Sequence, residues 1–207
     1  MAQERIKRLV DVVAALIVLV VFFPLWIAVA VLVVATSAGP VLFLQDRPGR
    51  YGQAFKILKF RTMRPGSDTM IKGQEVASDD ERVTTLGRLL RRTKIDEIPQ
   101  VLNVLKGEMS LVGPRPERMA SLDEYTDEIA KRMNVRPGMT GLAQVSGNIH
   151  LPLHKRYALD AYYAEHWSMA LDLKIVLRTV GVILFGEGRY IDRSLVDLGA
   201  GTEARVM

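Results

Sequence analysis

Residues 12–35 read VVAALIVLVVFFPLWIAVAVLVVA, a run without one charged side chain. As a straight helix at about 1.5 Å per residue it would reach roughly 36 Å, longer than a hydrocarbon core of about 30 Å. It is too long for a signal peptide, whose apolar core spans about 7–15 residues. The segment enters a membrane. How it enters turns on its flanks and on one proline. Arg5, Lys7 and Arg8 precede the run, and Arg47, Arg50, Lys56, Lys59, Arg61 and Arg64 follow it. Basic residues on both sides give a simple span no preferred orientation. Pro24, near the middle, cannot donate to the helix ladder and costs about 3 kcal/mol in a helix interior. Each half would be roughly 18 Å long, too short to cross alone. A helix that breaks at Pro24 and returns to its side of entry removes the charge conflict. A spanning helix with a tolerated kink is the alternative, since membrane helices do carry proline.

Outward from this run the composition changes character. The 207-residue chain is 49% hydrophobic and 25% charged, yet the apolar residues crowd the N-terminus. A formal net charge of +5 points to a polyanionic partner: nucleic acid, anionic lipid or a phosphorylated substrate. With no cysteine, a disulfide framework, a thiolate metal site and a thiol nucleophile are all excluded.

Val41–Leu44 and Ala54–Phe60, separated by the turn-rich Arg47-Pro48-Gly49-Arg50-Tyr51-Gly52, predict a β-hairpin. Residues 64–80, rich in Gly, Ser, Asp and Thr, predict a surface loop. Val83, Leu86, Leu89 and Leu90 lie at helical spacing, with Arg88, Arg91 and Arg92 among them. A second helical pattern (Ile98, Val101, Leu102, Leu105) opens at Asp96-Glu97 and closes at Gly107. Pro99 fits it only in a first turn, so the two carboxylates sit at or near a helix N-terminus. Residues 109–116 and 135–147 predict loops, 117–132 a charged exposed helix, and 157–185 mostly helix. The apolar surface of the last stretch, carrying Lys174 and Arg178, suits either burial or a helix lying on a membrane.

Adjacent carboxylates at a helix start can be simple capping residues, worth about 1 kcal/mol each or less. Their neighbours argue for more. Arg88, Arg91 and Arg92 come just before them, Lys59 and Arg61 come from the hairpin, and Arg115 lies between Pro114 and Pro116. An arginine held between prolines can aim its guanidinium as a bidentate phosphate donor. Carboxylates inside a ring of arginines describe a site for Mg²⁺ and a diphosphate. A carboxylate can also attack phosphorus, giving an acyl phosphate that a second acceptor resolves. No His-x-Glu, Cys-x-x-Cys or phosphate-loop pattern occurs, and His150, His154 and His166 lack ligand spacing.

At these motifs the chain resembles the monotopic phosphoglycosyl transferases, the bacterial sugar transferase family. The resemblance rests on Arg47-Pro48-Gly49 with Gly52, on Lys59-Phe60-Arg61-Thr62-Met63, and on Leu86-Gly87-Arg88 with Arg91-Arg92-Thr93. It continues through Asp96-Glu97-Ile98-Pro99-Gln100, the stretch Asn103 to Pro116, Arg136 to Val145, and Leu171-Asp172-Leu173-Lys174. It covers nearly everything from Lys7 to about Phe185. It implies a re-entrant membrane helix hinged at Pro24, residues 1–38, and a catalytic domain, 39–190, on the cytoplasmic face of the bacterial inner membrane. A polar tail, 191–207, would follow. The implied fold is α+β and helix-rich, with a small hairpin and amphipathic interfacial helices. Asp96 would be the nucleophile, with Glu97 assisting and both carboxylates candidates for Mg²⁺. Lys59, Arg61, Arg88, Arg92, Arg115, Arg136, Gln144 and Asn148 would meet substrate or phosphate. The donor would be a UDP-sugar and the acceptor polyprenol (undecaprenyl) phosphate, with membrane lipid as partner, no nucleic acid, and homodimerisation open.

Two departures stand out. Asn148 occupies a position where the family often has arginine, with His150, Lys155 and Arg156 as nearby substitutes. Leu151-Pro152-Leu153 stands where an aromatic residue is common. No sugar is therefore assigned. A non-catalytic basic module on the membrane would explain the charge and the apolar run but gives Asp96-Glu97 no role. A polytopic phosphoglycosyl transferase would need many apolar segments, and one is present.

Overall fold

The computed structural model describes residues 2–67 and 80–191. Its N-terminal helix, α1 (Ala2–Thr36), runs as one continuous helix with Pro24 inside it. The expected break at Pro24 is thus absent from the helix assignment. Proline removes only the N–H that would reach back to Val20, and packing on either side of it holds the remaining turns. Asp11, Ala15, Val29 and Val33 are the buried residues of α1, and Val18, Leu19, Leu25, Trp26 and Ala30 pack beside them. These positions form one stripe at helical spacing.

That stripe lies against the rest of the chain along most of its length. Ala15 packs with Phe55, Ile57, Val101, Val104 and Met109. Beyond Pro24, Val29 and Val33 pack with Phe60 and Leu90. Both ends are also tied by polar contacts. Near the N-terminus, Lys7 Nζ donates to Asp172 Oδ2 at 2.5 Å and Val112 O at 3.1 Å. Arg8 donates to the carbonyls of Val104 and Leu105. The buried Asp11 carboxylate accepts from Ser110 Oγ and Leu111 N. At the other end Arg61 Nη2 donates to Ser37 O at 2.5 Å and Val33 O at 3.4 Å.

Among the described residues, none packs against the opposite face of α1. Ile17, Val20, Val21, Phe23, Ile27, Val31 and Val34 are exposed, and only 11% of the most apolar stretch is buried. A core helix of a soluble protein would be mostly covered, so this face calls for an apolar medium.

The hairpin forms as expected. β1 (Leu42–Pro48) and β2 (Ala54–Phe60) pair antiparallel, Leu42 opposite Phe60 and Pro48 opposite Ala54. Helix α2 (Thr85–Arg92) starts at Thr84, whose side chain accepts from Gly87 N. A 3₁₀ turn, Ile95–Glu97, leads into α3 (Gln100–Lys106), which ends at Gly107 with φ of 86°. β3 (Ser110–Val112) and β4 (Gly138–Thr140) pair in parallel.

Residues 117–132 depart from the exposed helix expected of them. They contain a 3₁₀ stretch, Met119–Glu124, then the single turn α4 (Asp127–Ala130), continuing as 3₁₀ over Lys131–Asn134. Arg132, whose spacing reads as a solvated helix face, is buried against Asp160. The expected long helix over 157–185 is two, α5 (Leu153–His166) and α6 (Met169–Phe185), divided where Ser168 caps the second through Leu171 N. Along α6, Leu173, Leu177, Val180, Ile183 and Leu184 are exposed while Asp172 and Ile175 are buried. An exposed apolar surface of this kind suits the expectation of a helix lying on a membrane. The polar tail from residue 192, and most of the loop read over 64–80, lie outside the described residues.

Candidate active site

Asp96 and Glu97 occupy the 3₁₀ turn directly before α3, and their surroundings come from four parts of the chain. Lys59 arrives on β2, which is locked to α3 by the fully buried Asn103. The Asn103 side chain accepts from Leu58 N at 3.1 Å and donates to Lys56 O at 2.8 Å, acting as a strand partner. Lys59 Nζ then donates to Glu97 Oε1 at 2.6 Å.

Arg91 arrives on α2. A Cβ on Gly87 would fall 2.0 Å from Thr62 O, so only glycine lets this helix lie on the chain leaving β2. With α2 so placed, Arg91 Nε donates to Thr62 Oγ1 at 2.9 Å and its charge acts on Asp96. Lys94, in the left-handed conformation with φ of 58°, turns the chain between α2 and the carboxylates.

Arg115 arrives on a loop whose backbone is fixed at three successive carbonyls. Gly138 N donates to Pro114 O, Arg132 Nη2 to Arg115 O at 2.7 Å, and Arg47 Nη1 to Pro116 O at 3.2 Å. The approach is close enough that a Cβ on Gly113 would lie 2.3 Å from Arg136 O. From this clamp Arg115 Nη2 reaches Glu97 Oε1 at 3.0 Å.

The two carboxylates, adjacent in sequence, are electrostatically unlike. Burial, and then the neighbouring charge of Glu97, push Asp96 up to about 6, against the opposing pull of Lys59, Arg91 and Lys94. Burial would raise Glu97 too, but Lys59 and Arg115 outweigh it and hold Glu97 well below the usual carboxylate range. Lys59 is itself lowered by burial despite Glu97. Arg115 is raised, chiefly by Glu97. Glu97 is thus a fixed anion, whereas Asp96 Oδ1 is buried with no hydrogen-bond partner among the described residues. Among the described residues no three or more His, Cys, Asp or Glu side chains gather as a metal cage. The unpartnered Asp96 oxygen does fit a Mg²⁺ shared with substrate phosphates, the usual manner for that ion.

The other sequence-derived residues divide. Arg88 and Arg92 are exposed on α2, Arg88 bonding weakly to Val83 O and Thr85 Oγ1. Arg61 is spent on the carbonyls at the end of α1. Arg136 Nε donates to Gly107 O, at the C-terminal end of α3 rather than beside the carboxylates. Gln144 donates to Met139 O and keeps its Oε1 buried and unbonded. Asn148 is buried with φ of 48°, a conformation asparagine tolerates better than most side chains. Arg156 lies close enough for its charge to act on Asp160.

Sequence reasoning missed Glu187. It pairs with Lys94 at 2.9 Å and acts on the charge of Arg115, bringing the 3₁₀ segment Glu187–Tyr190 to the edge of the site. No periodicity marks it, because its partners lie 93 and 72 residues earlier in the numbering.

A helix that offers one apolar face to a membrane, beside a carboxylate pair enclosed by cations, defines a membrane-associated enzyme acting on phosphorylated substrates. The chain belongs to the bacterial sugar transferase family, whose sequence model matches residues 2–186. It is 46% identical over 201 residues to a UDP-glucose:undecaprenyl-phosphate glucose-1-phosphate transferase of Caulobacter vibrioides, covering 91% of this chain and 73% of that protein. It is 44% identical to an uncharacterized sugar transferase of Bacillus subtilis, covering 88% and 89%. A UDP-N-acetylgalactosamine-undecaprenyl-phosphate N-acetylgalactosaminephosphotransferase of Aeromonas hydrophila is 43% identical, covering 88% of this chain but 44% of that longer protein.

Proposed function

We propose that the chain transfers a sugar 1-phosphate from a UDP-sugar to undecaprenyl phosphate through a covalent intermediate on Asp96. The observation that carries this reading is the contrast between a cation-bound Glu97 and an Asp96 oxygen with no partner. In the first step an Asp96 oxygen attacks the sugar-bearing phosphorus. The bond from that phosphorus to the bridging oxygen breaks, and UMP departs with the electron pair. In the second step an oxygen of undecaprenyl phosphate attacks the same phosphorus, the acyl phosphate bond breaks, and the Asp96 carboxylate is restored. Two steps let a water-soluble donor and a lipid acceptor use one site in turn.

Arg115, Lys59 and Arg91 supply positive charge where negative charge develops, and their anchoring means little reorganisation is needed. Mg²⁺, bound with the diphosphate at Asp96 and Glu97, would neutralise charge on the leaving phosphate. Both ends of α1 are tied to the catalytic domain, which supports a helix that enters and leaves the membrane on one side. Basic residues at both flanks support the cytoplasm as that side. The pathway class is glycoconjugate synthesis at the inner membrane.

The test is UMP release from a panel of UDP-sugars with Mg²⁺ and undecaprenyl phosphate. Wild-type protein should release UMP from at least one donor, and Asp96→Asn should release none. Absence of release from every donor by folded, membrane-bound protein would contradict the proposal.

A further inference from the structure

A second basic cavity lies away from the carboxylates. It has a volume of about 600 Å³ and is lined by Arg5, Arg8, Arg50 and Arg136, with Glu4 as its one acidic residue. Leu9 and Val12 of α1 complete the wall. Resting on the membrane reading of α1, we propose that this cavity binds the phosphate headgroup of an anionic phospholipid.

Three features argue for that occupant. First, the residues around the cavity include four arginines and one glutamate, a formal excess of positive charge beside a mostly apolar wall. The simplest alternative is that these arginines only cap α3, since Arg8 binds the carbonyls of Val104 and Leu105 and Arg136 that of Gly107. Capping explains two of them. Arg5 lies exposed on the first turns of α1, and Arg50 comes from the hairpin turn, bonding to Asn134 O and Glu4. Each guanidinium offers five N–H donors in a fixed fork, so the anchored ones keep donors beyond these carbonyl bonds.

Second, the cavity sits where α1 turns from polar to apolar. Leu9 is 64% exposed, and the outward apolar face continues through Val10, Val13 and Leu16. A headgroup held here would lay its acyl chains along that face, while the arginines sit at headgroup depth. Third, the position is wrong for the acceptor's reacting phosphate. The carboxylates precede the first residue of α3, and Arg8 and Arg136 hold its last carbonyls. About 10 Å of helix separates them.

The experiment uses full-length protein in detergent containing equal phosphatidylglycerol and phosphatidylcholine, with retained lipid per chain read by native mass spectrometry. Wild-type protein should retain phosphatidylglycerol selectively. Arg5→Gln with Arg50→Gln should weaken retention by about fivefold or more. Glu4→Gln should strengthen it, a gain that misfolding cannot imitate. Equal retention of both lipids, or indifference to all of these changes, would overturn the proposal. Displacement of phosphatidylglycerol by inorganic phosphate alone would overturn it in favour of a free-anion site. Displacement by equimolar undecaprenyl phosphate would overturn it in favour of an acceptor site. The readout needs no donor. Protein that retains the lipid but releases no UMP would sink the transferase reading and leave this one standing.

Discussion

Lys59 Nζ lies 2.6 Å from Glu97 Oε1, the same oxygen that accepts from Arg115 at 3.0 Å. Glu97 is therefore committed to cations from the hairpin and from the proline-flanked loop, and it stays ionised. Asp96, one residue earlier, is buried without that support and is pushed up to about 6. Environment divides one sequence pair into a permanent anion and a poised group, the arrangement by which neighbouring carboxylates take different roles.

The first prediction concerns stability. Asp96 holds its proton up to about pH 6 when folded, against an ordinary value of 3.8. Between those values the folded chain binds the extra proton, so ionising Asp96 as pH rises costs stability. Asp96→Asn should then be more stable at pH 7.5, by at most on the order of 2–3 kcal/mol, and melt at a higher temperature. The gain should shrink as pH falls through 6 and disappear below about 4. A variant less stable than wild type at pH 7.5 would contradict this account of the burial cost.

The second follows from Glu187. Its pairing with Lys94 restrains a cation that favours ionised Asp96. With Glu187→Gln, the freed charge should lower the Asp96 value. If Asp96 is the nucleophile proposed above, the acid limb of the rate profile should move to lower pH by about half a unit. A shift upward would show that Lys94 does not act on Asp96.

The third tests the buried Arg132–Asp160 pair beneath the Arg115 loop. Arg132→Leu leaves Asp160 uncompensated and should destabilise the fold by about 3–5 kcal/mol. Adding Asp160→Leu should recover a large part of that loss. Full additivity in denaturation would mean the pair is not coupled.

The fourth tests how α1 sits in the membrane. The chain has no cysteine, so Gln3→Cys and Ala38→Cys each supply a unique exposed thiol. With both ends of α1 on the cytoplasmic side, an impermeant maleimide should label neither in intact cells and both in inverted vesicles. Opposite labelling of the two positions would establish a spanning helix.

The hairpin, α2, α3 and the carboxylates at a helix entrance were legible because each is a local pattern: alternation, helical spacing, and a proline that fixes a first turn. The membrane character of α1 was legible for the same reason. Its continuity through Pro24 was not, because Val29 and Val33 dock on Phe60 and Leu90 only after the chain has folded. The settings of Lys59 and Arg115 marked them out in sequence, and both side chains bond Glu97. Arg61 and Arg136 look the same in sequence, yet their guanidiniums bond to backbone carbonyls at helix ends. Charge alone does not separate an arginine that reaches Glu97 from one that caps a helix. Arg132 and Glu187 were invisible because their meaning lies in distant partners.

The measurement that tests the central claim most directly is the intact mass of the protein after exposure to its UDP-sugar without acceptor. Wild-type protein should gain one sugar phosphate, located on the peptide carrying Asp96 and lost when undecaprenyl phosphate is added. Asp96→Asn should gain nothing. Turnover with no adduct on the Asp96 peptide, under conditions that trap acyl phosphates, would contradict the two-step account and point to direct transfer between donor and acceptor.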